Sequence, residues 1–534
     1  MPDPLAAAYD RARNIVGRGV ARPMDGAGGS GDAARGRALA QELVDGRAAG
    51  GPPPGSGPEV WLAFDQHVRH TVGYGPPPLA APVELRLCHA RGWTRQAALD
   101  DPQAKPELVA IRTADTVAPV RDRARAALER ALSAHPEDTL LALTPLALRL
   151  GRREHGGWIL DRFEGALRGR AAAHAPWWHL RRPRAAPAGA ADVLSALLAG
   201  PDPQTRRFAT RLALTGPGPV DPLECARRAA AELDPVTAGL WTDAALAALA
   251  ALAAPPAPAA PGADGPGGGQ AYAVTHAVTH AVTGAVTDAL TGSRLPAVRA
   301  AGVTALRRAG RAAEGTRHLA DGSGLVRACA RWLVGQDGGD PREQYRWLIA
   351  DPAGPSPYAV TGLAECGSRE DTALLRELLA HPVGRVRAAA LAGLRRRDAA
   401  VEGSVLLALL DDPAASVARE AALSLLPAAA RLDPAHLAER VALRGPLHTR
   451  RAAFRLLRAQ GGIHALRASV ALIDDWDPKT RTTARATVRG WDWLLTRFTR
   501  QADTAELAAL LKRSAKLFDD HELALRRARL GLTH

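Results

Sequence analysis

The sequence has few of the residues that usually build cofactor pockets and metal sites. Aromatic residues make up 4% of the 534-residue chain, and its four cysteines stand far apart, at Cys88, Cys225, Cys329 and Cys366. Their spacing fits neither a zinc nor a redox motif, so we expect small buried thiols in a reducing compartment. No apolar run reaches the about 18 residues of a membrane span, and the N-terminus lacks the pattern of a signal peptide. We therefore predict a cytoplasmic protein without a membrane span.

Motifs of catalysis are missing too. The chain has no phosphate-binding Gly-x-x-x-x-Gly-Lys-Ser/Thr loop, no His-Glu-x-x-His motif and no Gly-x-Ser-x-Gly elbow. His276 and His280 are one helical turn apart, but a zinc site needs a third and a fourth ligand. The acidic residues Asp474, Asp475 and Asp477 offer ligands for a cation, although they fall where a loop between helices is expected. We predict that the protein is not an enzyme and has no cofactor, metal or small-molecule ligand.

Alanine and arginine are abundant, and they are arranged in a repeat. The phrase Arg-x-Ala-Ala-x-x-(small or Leu)-Leu recurs with a period of about 31 residues in the C-terminal half. A fixed period of this length is typical of a repeat array, in which each unit stacks on its neighbours to bury a core. The copies start at Arg299, Arg327, Arg387, Arg419, Arg450 and, in weaker form, Arg481.

Asp-Pro pairs mark the predicted helix starts. The chain contains ten such pairs; Asp at the N-cap accepts a hydrogen bond from a free helix N–H, and Pro at the next position loses nothing by lacking its own. One repeat unit is predicted as a helix over Asp371–Ala380, a turn, and a second helix over Arg385–Arg397. The side chains predicted to face inward are Leu374, Leu375, Leu378, Leu379, Ala388, Ala389 and Leu394.

Two stretches, Val298–Leu306 and Val386–Leu394, resemble HEAT repeats, most closely the short bacterial kind that also occurs in phycobilin lyases. The resemblance covers roughly residues 293–490. It implies an all-α fold in which antiparallel helix pairs form a right-handed superhelix, a HEAT- or armadillo-like solenoid. It also implies a ladder in which the recurrent arginine pairs with Asp or backbone groups of an adjacent unit. The motif says little about function.

Composition divides the chain into five segments. Residues 1–58 are rich in Gly and Pro and are expected to be largely flexible, with one helix over Ala33–Arg47. The segment 253–292 contains a flexible linker and a fourfold Ala-Val-Thr-x tract, which is predicted to be a helix or a loop. The other segments are degenerate repeats over 59–252, regular repeats over 293–500 and capping helices over 501–534.

Positive charge is the main hint to function. The formal net charge is +14, and residues 440–534 hold 19 Arg plus Lys against 9 Asp plus Glu, a local excess of +10. Two predicted helical stripes would merge there into a basic surface that attracts nucleic acid, an acidic protein or an anionic membrane. Alternatively, Arg450 and Arg481 hold ladder positions and the others are solvated. The stripes are Arg451, Arg455 and Arg458, and Arg481, Arg485 and Arg489.

Tryptophans supply the other candidate contacts. Trp177 and Trp178 precede three arginines, and Trp491 and Trp493 end the last clear repeat. Tryptophan and arginine are enriched at binding hot spots, although such tryptophans also close the ends of arrays. We predict a scaffold or adaptor that binds a protein partner. The alternatives are nucleic-acid binding through the basic surface and, from the resemblance only, a bilin-lyase-like activity.

Overall fold

The structure is a computed structural model that describes residues 27–73, 75, 81–168, 189–216, 220–253, 268–351, 354–442, 445–492 and 503–532. These residues form helices joined by loops and turns and contain no β-strand. The predicted all-α fold is confirmed. The described residues fall into two compact units, divided between Gly310 and Arg311.

The described part of the first unit is built from helix pairs. Helices α1–α7 are Ala27–Val44, Pro58–Thr71, Val83–Cys88, Gly92–Ala98, Pro106–Arg112, Ala118–Ala134 and Pro136–Leu150. Helices α8–α14 are Gly157–Leu167, Ala190–Ala199, Pro203–Leu214, Pro222–Ala231, Pro235–Leu252, Gly268–Thr291 and Pro296–Ala305. Helix α3 packs on α4, α5 on α6, α9 on α10, α11 on α12 and α13 on α14.

The second unit continues with thirteen helices in its described residues. Helices α15–α21 are Gly324–Gln336, Pro341–Ile349, Pro357–Cys366, Asp371–Glu377, Gly384–Arg396, Gly403–Leu409 and Ala415–Leu425. Helices α22–α27 are Pro434–Ala442, Leu447–Gln460, Gly462–Ala471, Pro478–Arg489, Thr504–Ser514 and Asp520–Arg529. Short 3-10 helices span Ala312–His318, Leu378–Ala380, Leu426–Arg431 and Ala515–Leu517.

Pairs also repeat along the second unit. Helix α16 packs on α17, α18 on α19, α20 on α21, α22 on α23 and α24 on α25, while α15 packs on the 3-10 helix Ala312–His318. The second members α17, α19, α21 and α23 pack on one another in that order. We call α4, α6, α10, α12, α14, α15, α17, α19, α21, α23 and α25 the second helices. Pairs stacked in chain order are what the period predicts; the superhelical path remains a prediction.

The repeat unit written out from the sequence has the expected helices. Helix α18 begins at Asp371 and continues as a 3-10 turn to Ala380, and α19 spans Gly384–Arg396. Four of the predicted inward residues, Leu375, Leu378, Ala388 and Leu394, are buried, and the other three are half-buried. The apolar spacing therefore predicted the buried faces of both helices.

Most of the described Asp-Pro pairs begin helices, as predicted, whereas Asp101-Pro102 and Asp412-Pro413 lie in non-helical segments. Pro occupies the first helical position, where a missing N–H costs no hydrogen bond. In six of the ten pairs the Asp side chain accepts a hydrogen bond from a backbone N–H of the first turn. The capping residues are Asp202, Asp221, Asp234, Asp340, Asp433 and Asp477.

One helix, α12, is long and apolar enough to cross a membrane, and it is the one such helix in the described part of the chain. Its Trp241, Ala245 and Leu249 are buried in a cluster with residues of α11, α13 and α14. The apolar face of α12 is therefore used inside the first unit, and the described residues give no clear membrane span.

The Ala-Val-Thr-x tract is helical and belongs to α13. Its Val286 is buried, and the Thr287 hydroxyl donates to the Thr283 carbonyl at 2.7 Å. Helix α1, Ala27–Val44, overlaps in sequence with the helix predicted at Ala33–Arg47. Residues 254–267 of the predicted linker and residues 1–26 lie outside the described residues.

The C-terminal helices α26 and α27 match the predicted capping helices. Four leucines of this segment are buried. They are Leu507, Leu510, Leu511 and Leu517.

Candidate functional site

An arginine four residues after the N-cap recurs in the second helices. In seven of them one Nη donates to the carbonyl oxygen six residues earlier, at 2.7 to 2.9 Å. In six of these the same nitrogen also reaches the carbonyl five residues earlier. Each arginine side chain thus links its helix to the preceding loop. It donates hydrogen bonds to loop carbonyl oxygens that the hydrogen bonds of the helix do not use. These residues are Arg95, Arg121, Arg206, Arg299, Arg327, Arg387 and Arg481.

Five arginines at this position also reach a carboxylate of the next helix pair, 20 to 38 residues further along the chain. Arg387 shows the geometry, with its Nε 2.9 Å from Oδ2 of Asp412 and its Nη2 2.7 Å from Oδ1. A bidentate pair of this kind fixes distance and orientation together. We call the five pairs the arginine ladder: Arg95–Asp115, Arg206–Glu232, Arg327–Glu365, Arg387–Asp412 and Arg450–Asp475.

Two carboxyl groups of the ladder, those of Asp412 and Glu365, have lowered pKa values. Burial alone would raise the pKa of Asp412, but the hydrogen bonds from Arg387 and from the Ala414 N–H outweigh it and hold the pKa below its ordinary value. The pKa of Glu365 is lowered in the same way by Arg327 and Arg331, against its burial. Arg387–Asp412 and Arg327–Glu365 are therefore charged near neutral pH and act as structural links between neighbouring helix pairs.

Helix α21 departs from this pattern. Its N-cap is Ala414, so the fourth residue after the cap is Ala418. Arg419, which starts the sequence phrase, lies one residue beyond, and one residue is about 100° of helix rotation. Arg419 is exposed, and within the described residues it makes none of the ladder hydrogen bonds. The period therefore located the helix but not the direction of this side chain.

Three arginines of the predicted basic surface donate hydrogen bonds to other groups of the protein. Arg451 bonds Asp477 through Nε and Nη2, at 3.0 and 2.5 Å. Arg485 donates to the Ile473 carbonyl at 2.7 Å. Arg489 donates to the Leu517 carbonyl at 3.2 Å.

Two further arginines of that surface, Arg455 and Arg458, are exposed. The Arg458 guanidinium lies 5.9 Å from the centre of the Phe454 ring. The sixth, Arg481, bonds the Asp475 carbonyl. The six predicted side chains therefore do not form one face of free cations. Arg450 and Arg481 occupy the ladder position, as the alternative interpretation expected.

The acidic residues around Trp476 are all engaged with cations. Asp475 lies 2.6 Å from Arg450, the hydrogen bond from Arg451 holds the pKa of Asp477 below its ordinary value, and Asp474 is paired with Arg485 and Lys516. Among the described residues no group of three or more His, Cys, Asp and Glu is placed to hold a metal ion. The His276 side chain lies outside those described.

Cysteines are packed in the helices. Cys88, Cys225 and Cys329 are buried and Cys366 is half-buried. Burial raises the pKa of Cys225 and of Cys329 to about 11. These thiols are neutral near pH 7, so they are not nucleophiles there.

Trp491 is the one predicted tryptophan that the structure describes, and it is half-buried against the C-terminal core. Trp177, Trp178 and Trp493 lie outside the described residues. Three tryptophans that the sequence analysis did not select have more than half of their surface exposed: Trp93 at 59%, Trp347 at 70% and Trp476 at 69%.

A buried ionic cluster in the first unit was also missed. Arg112 donates to Asp65 and, at 3.2 Å, to Asp115, which also accepts two hydrogen bonds from Arg95. All four side chains are almost fully buried. They join α2, α4 and α5 to the loop before α6, so the cluster extends the ladder inward rather than forming a pocket. Its members, Asp65, Arg95, Arg112 and Asp115, are far apart in sequence, so no local motif indicates the cluster.

The loops that begin the second helices carry most of the exposed apolar side chains. We call the cap edge the four residues from one before each N-cap to the second helical residue. Among the described residues, seven of the thirteen exposed large apolar side chains lie there: Trp93, Val117, Leu233, Val236, Tyr358, Val383 and Trp476. In the first unit the edge is 90–93, 116–119, 201–204, 233–236 and 294–297. In the second unit it is 322–325, 355–358, 382–385, 413–416, 445–448 and 476–479.

Neighbouring loops of the cap edge touch one another in the second unit. The His448 Nε2 lies 2.9 Å from the Asp412 carbonyl oxygen, and a Cβ on Gly384 would overlap that of Ala414. Gly393 of α19 lies beside Ala364 of α17, near the C-terminal end of each helix. The apolar residues of this unit therefore lie along one end of the second helices.

Comparison of the sequence with models of known protein families and with curated proteins finds no match. Fold and surface define the class of protein: an all-α chain of paired helices, linked by arginine–carboxylate pairs. The HEAT resemblance stays a prediction.

Proposed function

We propose that this chain is a cytoplasmic scaffold or adaptor, a HEAT-type solenoid that binds a protein partner through its cap edge and catalyses no reaction. The observation that carries the proposal is the concentration of exposed apolar side chains on that edge. Contiguous exposed apolar residues mark interaction sites, and Trp and Tyr are frequent anchors of protein interfaces. In the second unit these anchors are Trp476 and Tyr358.

Charge pairing supports a protein partner over a nucleic acid. Binding to phosphates depends on cations that neutralise the backbone and release its counterions. Arg451 is already bonded to Asp477, and Arg485 is bonded to Asp474 and the backbone. Guanidinium groups that are already bonded to carboxylates and carbonyls are less available to neutralise the phosphates of a nucleic acid.

The test is affinity capture from native lysate, with and without nuclease, using the intact chain and two variants. Trp476→Ala removes an anchor of the cap edge. Trp347→Ala is the matched control, because Trp347 is equally exposed but lies on α16, a first member of its pair. We expect a nuclease-resistant partner to be retained by the wild type and by Trp347→Ala and lost with Trp476→Ala. Equal retention by both variants, or loss of every partner with nuclease, contradicts the proposal.

Nucleic-acid binding is a second candidate, favoured by the exposure of Arg455 and Arg458. It predicts that affinity for any duplex falls steeply with salt. Reversing both charges with Arg455→Glu and Arg458→Glu should then reduce the slope of log affinity against log salt by about two. An unchanged slope rules out this surface as a phosphate contact.

A further inference from the structure

Two cations on the cap edge of the second unit have no partner carboxylate among the described residues. Arg385 and Lys479 are both exposed, and each is the second residue of its helix, α19 and α25. They lie beside the exposed apolar residues Val383 and Trp476 in the chain. Cation and apolar side chain therefore occur together twice along the same edge.

Helix stability does not explain these two positions. The N-terminus of a helix carries a partial positive charge, so a cation in the first turn is unfavourable and an acidic residue is preferred there. A lysine or arginine stabilises the last turn instead. Arg385 and Lys479 are placed against this preference, which points to a role outside the fold.

Acidic residues of the same loops do not offset the two cations. Asp412 and Asp477 are turned inward, with 9% and 3% of their surface exposed, and bond Arg387 and Arg451. The more exposed carboxylates nearby are already paired with other cations. Those pairs are Asp411–Arg440, Asp474–Arg485 and Asp474–Lys516.

We infer that the cap edge of the second unit binds an acidic segment of a protein, one with apolar side chains between its carboxylates. Arg385 and Lys479 would pair with the carboxylates. The apolar side chains would pack on Tyr358, Val383 and Trp476. Charge complementarity selects and orients such a partner, and the apolar contacts supply most of the affinity. The inference rests on the proposed function and adds the chemistry of the partner.

The test measures binding of labelled probes to the full chain by fluorescence anisotropy. The probes are a synthetic peptide that alternates Glu or Asp with Leu or Phe, the same peptide with Lys in place of each acid, and a single-stranded DNA of equal negative charge. The edge variant is Arg385→Glu with Lys479→Glu. The control, Arg369→Glu with Arg431→Glu, makes the same charge change at two exposed residues outside the cap edge that precede the first helices α18 and α22.

We expect the acidic peptide to bind the wild type and the control alike and to bind the edge variant at least about tenfold more weakly. Stronger binding of the lysine peptide, equal weakening by both double variants, or preferential binding of the DNA overturns the inference. Circular dichroism of both variants verifies that the helices are intact. If the edge variant still captures the nuclease-resistant partner that Trp476→Ala loses, the partner chemistry is wrong and the scaffold function stands.

Discussion

Arg387 connects two helix pairs with a single side chain. Its guanidinium bonds the carbonyls of His381 and Pro382 in its own loop and both carboxylate oxygens of Asp412 in the next pair. Arg419 begins the same sequence phrase but lies one residue off the ladder position, and it is exposed. Two arginines that begin the same sequence phrase therefore have different structural roles.

This difference predicts that substitution by alanine lowers the stability much more at Arg387 than at Arg419. Arg387→Ala leaves the buried Asp412 carboxylate without its cation and should lower the free energy of unfolding by about 1–3 kcal/mol. Arg419→Ala removes an exposed side chain from a helix and should change it by less than about 0.5 kcal/mol. Urea unfolding followed by circular dichroism measures both. Equal losses for the two variants would contradict a ladder position set by the N-cap.

At the scale of one helix, the sequence predicted where helices begin because local chemistry decides it. Asp at the N-cap and Pro after it act within one turn, so α12 and α25 each begin at the Pro of an Asp-Pro pair. The partner of each arginine could not be read in the same way. Arg451 meets Asp477 only because α23 lies beside the loop before α25, and packing between helices decides that contact.

Packing between helices also requires a residue without a side chain at one position of α17. Gly362 is buried, and a Cβ at this position would overlap the Tyr345 ring, itself fully buried. Gly362→Ala should therefore destabilise the protein by about 1–3 kcal/mol through overpacking. Gly335 in α15 has open space around its Cα, so Gly335→Ala should be neutral or stabilise by up to about 1 kcal/mol. Thermal unfolding of the two variants tests this, and a stable Gly362→Ala protein would show that Tyr345 moves aside.

At the scale of the whole chain, the period and the small side chains predicted paired helices. The cap edge was not predicted, because exposure depends on which loops the stack leaves uncovered. Its apolar residues nevertheless stand beside visible marks in the sequence: Leu233 and Trp476 each precede an Asp-Pro pair, and Val383 follows Pro382. The candidate arginines were chosen by helical spacing alone, and spacing does not tell a free cation from one that is already paired.

Acid should weaken the whole array, because its links depend on ionised carboxylates. The hydrogen bond from Arg451 holds the pKa of Asp477 below the ordinary value of 3.8, and Asp412 and Glu365 also have lowered pKa values. A carboxyl group whose pKa is lower in the folded chain contributes stability that is complete above its unfolded pKa and is lost as the pH falls through its folded pKa. The free energy of unfolding should therefore fall progressively below about pH 5.

Asp477→Asn isolates one of these carboxylates. The variant should be less stable than the wild type at pH 7, where Asp477 is charged and paired, and the difference should shrink as the pH falls from about 5 to 2. Chemical unfolding at a series of pH values measures both curves. Asp161 is exposed on α8, and Asp161→Asn serves as the control for removing one negative charge. If the Asp477→Asn curve runs parallel to that of the wild type over this range, the pairing of Asp477 with Arg451 does not contribute to the stability of this end of the chain.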